Sequence, residues 1–165
     1  MAGENSGESQ GRKIVVAVDE GEESNHALSW CLQNVAAAGD TLVLLYAQPP
    51  RVVYSAMDGT AGYLFSSDII ATMDKYSKEV ADSVIQRATR TCGDSQKVKV
   101  ETKVEKGDPR DVICETVENL RADMLVLGSH GYGVIKRAFL GSVSNHCAQN
   151  VKCPVLIVKS PKPQH

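Results

Sequence analysis

A mostly parallel α/β sheet with helices on both faces is the architecture this sequence predicts, and three observations predict it. Short aliphatic runs alternate with segments of helical period along nearly the whole chain. Aromatic residues make up 5% of the composition against 42% hydrophobic residues, which favours an aliphatic core over an aromatic-rich sandwich. The length, 165 residues, is that of one domain with a single buried core. Strands and helices in alternation pack as a parallel sheet joined by right-handed crossovers.

Residues 1–12 are polar, rich in Gly, Ser and Glu, and read as a disordered tail ahead of one domain spanning 13–160. Residues 13–18 form a compact run, apolar after Lys13, that suits a strand buried on both faces. In 24–38, Ala27, Leu28, Cys31, Leu32 and Val35 recur at helical spacing, and Gly39-Asp40 stops the helix. A second buried strand, 41–47, closes at Pro49-Pro50. Residues 51–67 have no period and read as a long loop. A long amphipathic helix is expected over 69–91.

Strict alternation follows over 97–105, with Val98, Val100, Thr102 and Val104 between Lys and Glu. It predicts a strand with one wet face, whose charges suit a sheet edge kept from further pairing. Asp108 and Pro109 are N-cap and N1 for a helix reaching about Leu120. Met124 to Leu127 is the next strand, a helix follows Ser142, and 154–159 holds the last strand. Val155, Leu156, Ile157 and Val158 are uniformly apolar, and an apolar sheet edge is an aggregation hazard unless covered. A homodimer pairing through this strand is therefore expected.

Net charge is −2, which supplies no cationic field for nonspecific nucleic-acid binding. No apolar run is long enough to span a bilayer, and no signal-like segment opens the chain. The five cysteines have no zinc-type spacing and read as reduced thiols, which places the protein in the cytoplasm or the nucleus. Cys153, just before Pro154, also suits a regulatory intersubunit disulfide.

The motif richest in chemistry is Gly128-Ser129-His130-Gly131, nine residues, then Gly141-Ser142. It links a strand end to a helix start. Glycines let the backbone approach a ligand closely, and a helix N-terminus offers unpaired N–H groups with a partial positive charge. The arrangement suits a nucleotide phosphate chain, with Ser142 and Ser144 adding hydroxyls. Each piece also has a bland reading: Gly128 and Gly131 as a tight turn, and Gly141-Ser142-Val143-Ser144 as a helix start. His130 either donates to phosphate or decorates the turn. Lys136 and Arg137 either reach outer phosphates or form a solvated pair. Asp19, closing the first strand, either accepts from ribose hydroxyls or shapes a turn. If the first and fourth strands are neighbours, Asp19 and Gly128 face one crevice. The motif is neither a Walker A loop nor a dinucleotide fingerprint.

These residues carry a resemblance. From Arg12 to Ser160 the chain resembles the universal stress protein (UspA-like) family, above all its small plant members that bind ATP. The carriers are the pattern G-2x-G-9x-G-[S/T] at Gly128, Gly131, Gly141 and Ser142, with Asp19, Gly107-Asp108-Pro109 and Cys153-Pro154-Val155 in support. The resemblance implies an adenine-nucleotide alpha-hydrolase-like three-layer sandwich with a five-stranded parallel sheet of order 3-2-1-4-5. It implies ATP or AMP as ligand, with Mg or Mn on the phosphates and no metal site of the protein's own. Ala17, Val18, Asp19 and Ala47 would lie by the adenosine, and Leu127 and Gly128 behind the ribose. Gly131, Gly141, Ser142, Val143 and Ser144 would donate to phosphate. Dimerisation through the last strand is implied as well.

The leading functional expectation is a dimeric nucleotide sensor or switch in stress response. Two others stand beside it: a slow ATPase or nucleotidyl-transfer enzyme, and a chaperone-like module with incidental nucleotide binding. No residue offers a convincing general base, so no catalytic residue is assigned.

Overall fold

Nine elements alternate along the computed structural model of this chain, which describes residues 11–50, 67–94, 97–130 and 141–161. They are β1 (Lys13–Ala17), α1 (Glu22–Asn34), β2 (Thr41–Gln48), α2 (Ser67–Cys92), β3 (Lys99–Lys106), α3 (Pro109–Leu120), β4 (Met124–Gly128), α4 (Ser142–Asn150) and β5 (Val155–Val158). The strands form one parallel sheet in the order β3-β2-β1-β4-β5, as expected. β1 pairs with both β2 and β4, with Val15 opposite Val43 on one side and Leu125 on the other. The chain therefore winds outward from β1 in one direction to β3, then in the other to β5.

The strand pleat sorts the core into two layers. Ile14, Val16, Leu42, Leu44 and Val126 pack on α1 and α2 through Ala27, Leu28, Cys31, Ala81, Val84 and Ala88. Val15, Val43, Leu45, Leu125 and Leu127 pack on α3 and α4 through Val112, Ile113, Val117 and Cys147. Consecutive residues of β1 thus enter opposite layers, which is why the run carries no polar alternation. Burial pushes the thiol of Cys31 up to about 11 and that of Cys147 up to about 12, so both are small core hydrophobes. Cys114 and Cys153 are half-buried, with burial raising their thiols too.

Helix α1 starts two residues before the expected 24 and ends at Asn34 rather than Ala38. Its early stop has a local cause. The amides of Val35 and Ala36 both turn back to the Cys31 carbonyl, at 2.9 and 2.8 Å, and the Asp40 carboxylate receives the Ala37 amide at 2.8 Å. Asp40 also binds Arg12, which the sequence reading placed in the tail, through Nη2 at 2.8 Å. Burial alone would raise the Asp40 carboxyl, but hydrogen bonds from Arg12 and Ala37 overrule it and hold the group below its usual value. Helix α3 begins as read, with Pro109 at N1 and Asp108 accepting the Arg110 amide at 2.9 Å.

The two sheet edges differ. On β3 the alternating face is covered only in part. Val98, just before the strand, is buried and Val100 packs on the core, while Thr102 is exposed and Val104 is 42% exposed. Lys99 pairs with Glu101 at 3.2 Å and Lys103 with Glu105 at 3.6 Å along the strand. Such exposed pairs contribute about 0–1 kcal/mol each, so their charge deters pairing more than it stabilises. β5 is the opposite edge: Val155, Leu156 and Ile157 are half-buried and Val158 is buried, with no charge among them.

Candidate functional site

The strand order reverses between β1 and β4, and open parallel sheets bind ligands beyond the strand carboxyl ends at that point. A cavity of about 360 Å³ lies there. The expected site residues that fall among those described line it together: Ala17, Val18, Asp19, Ala47, Leu127, Gly128, His130, Gly141, Ser142, Val143 and Ser144. Gly131, Lys136 and Arg137, and the loop expected at 51–67 as far as residue 66, lie outside the described residues.

On the β1 side, Asp19 fills the turn role open to it. Its Oδ1 accepts the Gly21 amide at 2.8 Å and the Ser24 hydroxyl at 2.9 Å, and its amide donates to Ser24 Oγ at 3.0 Å. That is turn chemistry, and it positions the first turn of α1. Oδ2 has no partner among the described residues and belongs to a side chain on the cavity wall.

On the β4 side the glycine is closely packed. A Cβ on Gly128 would sit 3.0 Å from the backbone C and O of Glu23 and 3.2 Å from the Ser24 amide nitrogen. A side chain at residue 128 would press on the backbone of α1, which would have to give by a few tenths of an ångström. Ser129 Oγ then donates to Glu23 Oε2 at 3.2 Å, tying the two elements.

Helix α4 supplies the donors, and here two expectations are corrected. The Gly141 amide does not face a ligand; it donates to the Ser129 carbonyl at 2.7 Å. The hydroxyl of Ser144, 3% exposed, donates to the Gly128 carbonyl at 2.7 Å rather than to phosphate. Both bonds answer carbonyls that β4 leaves unpaired where it ends, and buried carbonyls need a partner. What remains is the helix start itself. Gly141 caps it with no side-chain bond, and the amides of Ser142, Val143 and Ser144 have no acceptor among the described residues. Three parallel donors with the helix dipole behind them suit an anion.

Apolar walls complete the cleft. Pro49, Pro109, Ile113 and Tyr46 line it, and none of them was assigned to the site from sequence. Burial first, then the charges of Glu20 and Asp19, raises the Tyr46 phenol, so it stays protonated. Pro109 and Ile113 were legible only as a helix start. The signal that finds them is topological: in a parallel sheet every strand-to-helix junction opens at the same end as the crevice. From one side to the other, the cleft offers a carboxylate acceptor, an apolar slot and a row of amide donors. A second cavity of about 290 Å³, between the β1–α1 turn and α2, is lined by Asp19, Glu20, Glu79 and Arg87 and has no helix N-terminus. It lacks that polarity.

An open parallel α/β sheet with a helix start beside a cavity at its switch point defines the class of domain. Within that class the chain belongs to the universal stress protein family, whose model matches residues 11–159. It is 30% identical over 161 residues to universal stress protein PHOS32 and 31% identical over 165 residues to PHOS34, both of Arabidopsis thaliana, covering 91% of this chain in each case. The alignments span 65% and 62% of those relatives, so the chain accounts for under two thirds of their length. Among solved structures, hypothetical protein MJ0577 superposes with a TM-score of 0.73 at 22% identity, over 93% of this chain and 99% of that one. A universal stress protein in complex with cAMP superposes at 0.65 and 24% identity, covering 91% and 98%. A family protein from Arabidopsis thaliana with AMP bound superposes at 0.56 and 23% identity, covering 92% and 93%. These likenesses show a shared fold, the five-stranded parallel α/β sheet described above.

Proposed function

We propose that this protein binds an adenine nucleotide, AMP or ATP, in the β1/β4 cleft and works as a dimeric stress-response sensor. The observation that carries the reading is the set of unpaired amides of Ser142, Val143 and Ser144, sharing one cavity with Asp19. Phosphate lies on the amides, the ribose hydroxyls reach Asp19 Oδ2, and the base enters the slot by Val18, Ala47 and Ile113. AMP in one structural neighbour and cAMP in another support the ligand class. Gly131, Lys136 and Arg137 extend the phosphate contacts in this reading. A divalent cation, Mg or Mn, enters only as a companion of the phosphates. Among the described residues no three His, Cys, Asp or Glu side chains are grouped to hold one.

The working unit is the domain 13–160. Its dimer forms through the β5 edge, where Ile157 is the half-buried apolar residue with no packing role in either core layer. A route for communication runs from that edge to the cleft. Val158 accepts the Ser129 amide at 3.1 Å, and Ser129 accepts the Gly141 amide at 2.7 Å, at the start of α4. A nucleotide shifts the dimer only if it binds the two states unequally. Five free cysteines fit a reducing compartment, cytoplasmic or nuclear. No helix among the described residues is long and apolar enough to cross a membrane.

The deciding experiment is to denature freshly purified protein and chromatograph the supernatant for adenine nucleotide, then titrate the refolded protein with AMP and ATP by calorimetry. Stoichiometric nucleotide or saturable heat is expected, and neither at millimolar ligand ends the reading. Light scattering of Ile157→Lys against wild type tests the dimer, which should dissociate in the variant.

A further inference from the structure

His130 stands in the cleft with its ring edges in different surroundings. The residue lines the cavity and is half-buried. Its Nδ1 is buried and has no hydrogen-bond partner among the described residues. Nε2 is not among the orphaned buried atoms, and no bond engages it there, so it is the nitrogen left to meet a ligand.

This asymmetry constrains the proton. A neutral imidazole carries one N–H and one bare lone pair, and which nitrogen holds the proton follows from the bonds each can make. Orphaned buried N–H groups are rarer in native structures than under-satisfied acceptors. In a neutral ring that rule makes the buried Nδ1 the bare nitrogen and puts the hydrogen on Nε2.

The chain position decides what that proton meets. His130 follows Ser129, whose carbonyl receives the Gly141 amide at 2.7 Å, and it lines one cavity with Ser142, Val143 and Ser144. The acceptor side is Asp19, held by the β1–α1 turn across the cavity. The Glu23 carboxylate of α1 is engaged elsewhere, accepting from Ser129 Oγ at 3.2 Å. We propose that His130 is held as the Nε2–H tautomer and donates that hydrogen to the nucleotide's phosphate, selecting phosphorylated ligands over the bare nucleoside. The inference rests on the nucleotide reading and assigns it a specificity residue.

Two measurements test it. Ring-nitrogen NMR of the ligand-free protein reports the tautomer directly, and shifts showing Nδ1–H would overturn the inference whatever the protein binds. Calorimetry with AMP and adenosine then compares wild type with His130→Gln and His130→Asn, since a glutamine amide reaches the Nε2 position and an asparagine amide only the Nδ1 position. The Gln variant should hold AMP within about threefold of wild type, while the Asn variant should lose about tenfold or more, as for one hydrogen bond to a charged group. The loss should be confined to AMP. Equal AMP binding in all three proteins, Gln as weak as Asn, or a parallel loss for adenosine would each overturn the assignment. Wild-type protein that binds neither ligand overturns the nucleotide reading, and the phosphate contact with it; wild-type AMP binding with the wrong tautomer overturns only the role of His130.

Discussion

The two ends of the sheet treat their polar groups in opposite ways. At the amino-terminal end, Asp40 is 3% exposed and its carboxylate receives the Arg12 amide at 2.9 Å, Arg12 Nη2 at 2.8 Å and the Ala37 amide at 2.8 Å. Asp123 Oδ2 takes the Lys13 amide at 2.7 Å beside it. At the carboxyl end, the amides of Ser142 to Ser144, Asp19 Oδ2 and His130 Nδ1 have no partner among the described residues. The amides and the Asp19 oxygen share one cavity, and they are the groups the proposed nucleotide would engage. One end closes the fold, and the other keeps donors and an acceptor open.

Breaking the closed end should have the largest effect on stability and none on ligand. Asp40→Ala strands several donors and should cost about 2–4 kcal/mol in thermal or denaturant unfolding. Nucleotide affinity should stay at the wild-type value. Its pH dependence follows from the depressed carboxyl of Asp40. A group whose folded pKa is lowered stabilises fully above its unfolded value, about 3.9, and the stabilisation is lost as pH falls through the folded value. The gap between wild type and variant should therefore be widest near neutrality and narrow below about pH 4. A gap that widens in acid would contradict the pairing.

Gly128→Ala attacks the open end. The added methyl meets the Glu23 backbone at 3.0 Å, and backbone cannot swing aside. The overpacking should cost about 1–3 kcal/mol, read by denaturant unfolding. Unlike Asp40→Ala, it should also weaken nucleotide binding, because Ser24 and Asp19 move with the displaced turn. Wild-type affinity in this variant would mean that the α1 turn has no part in the cleft.

The smallest effect sharpens the boundary between structure and ligand contact. Ser144→Ala removes a hydroxyl engaged with the Gly128 carbonyl but leaves the amide. Stability should drop by about 0.5–1.5 kcal/mol, and AMP affinity measured by calorimetry should change little. A tenfold affinity loss would put the hydroxyl on the ligand after all.

Much of this organisation was legible in the chain. Residues 14–17 enter both core layers and show it as an unbroken aliphatic run; Lys99 to Glu105 sit at an edge and show it as alternating charge. The glycine pattern located the cleft, and the described members of the expected set all line it. Less legible was which group does what. Gly128 was read as a place for ligand approach, and only the structure shows that α1 also approaches it closely. Tyr46, Pro109 and Ile113 carried only strand and helix signals, because a cavity wall is assembled from elements far apart in sequence.

Periodicity, capping residues and glycine placement act over a few neighbours, so the sequence alone determined the elements, their alternation and the strand end where a ligand would sit. Hydrogen-bond partners across the fold obey no such local rule. Only the tertiary structure decided that the Gly141 amide and the Ser144 hydroxyl turn inward to β4 while the next amides stay open. The reason is that a strand end leaves carbonyls to be answered, and the nearest donors in space answer them before any ligand does.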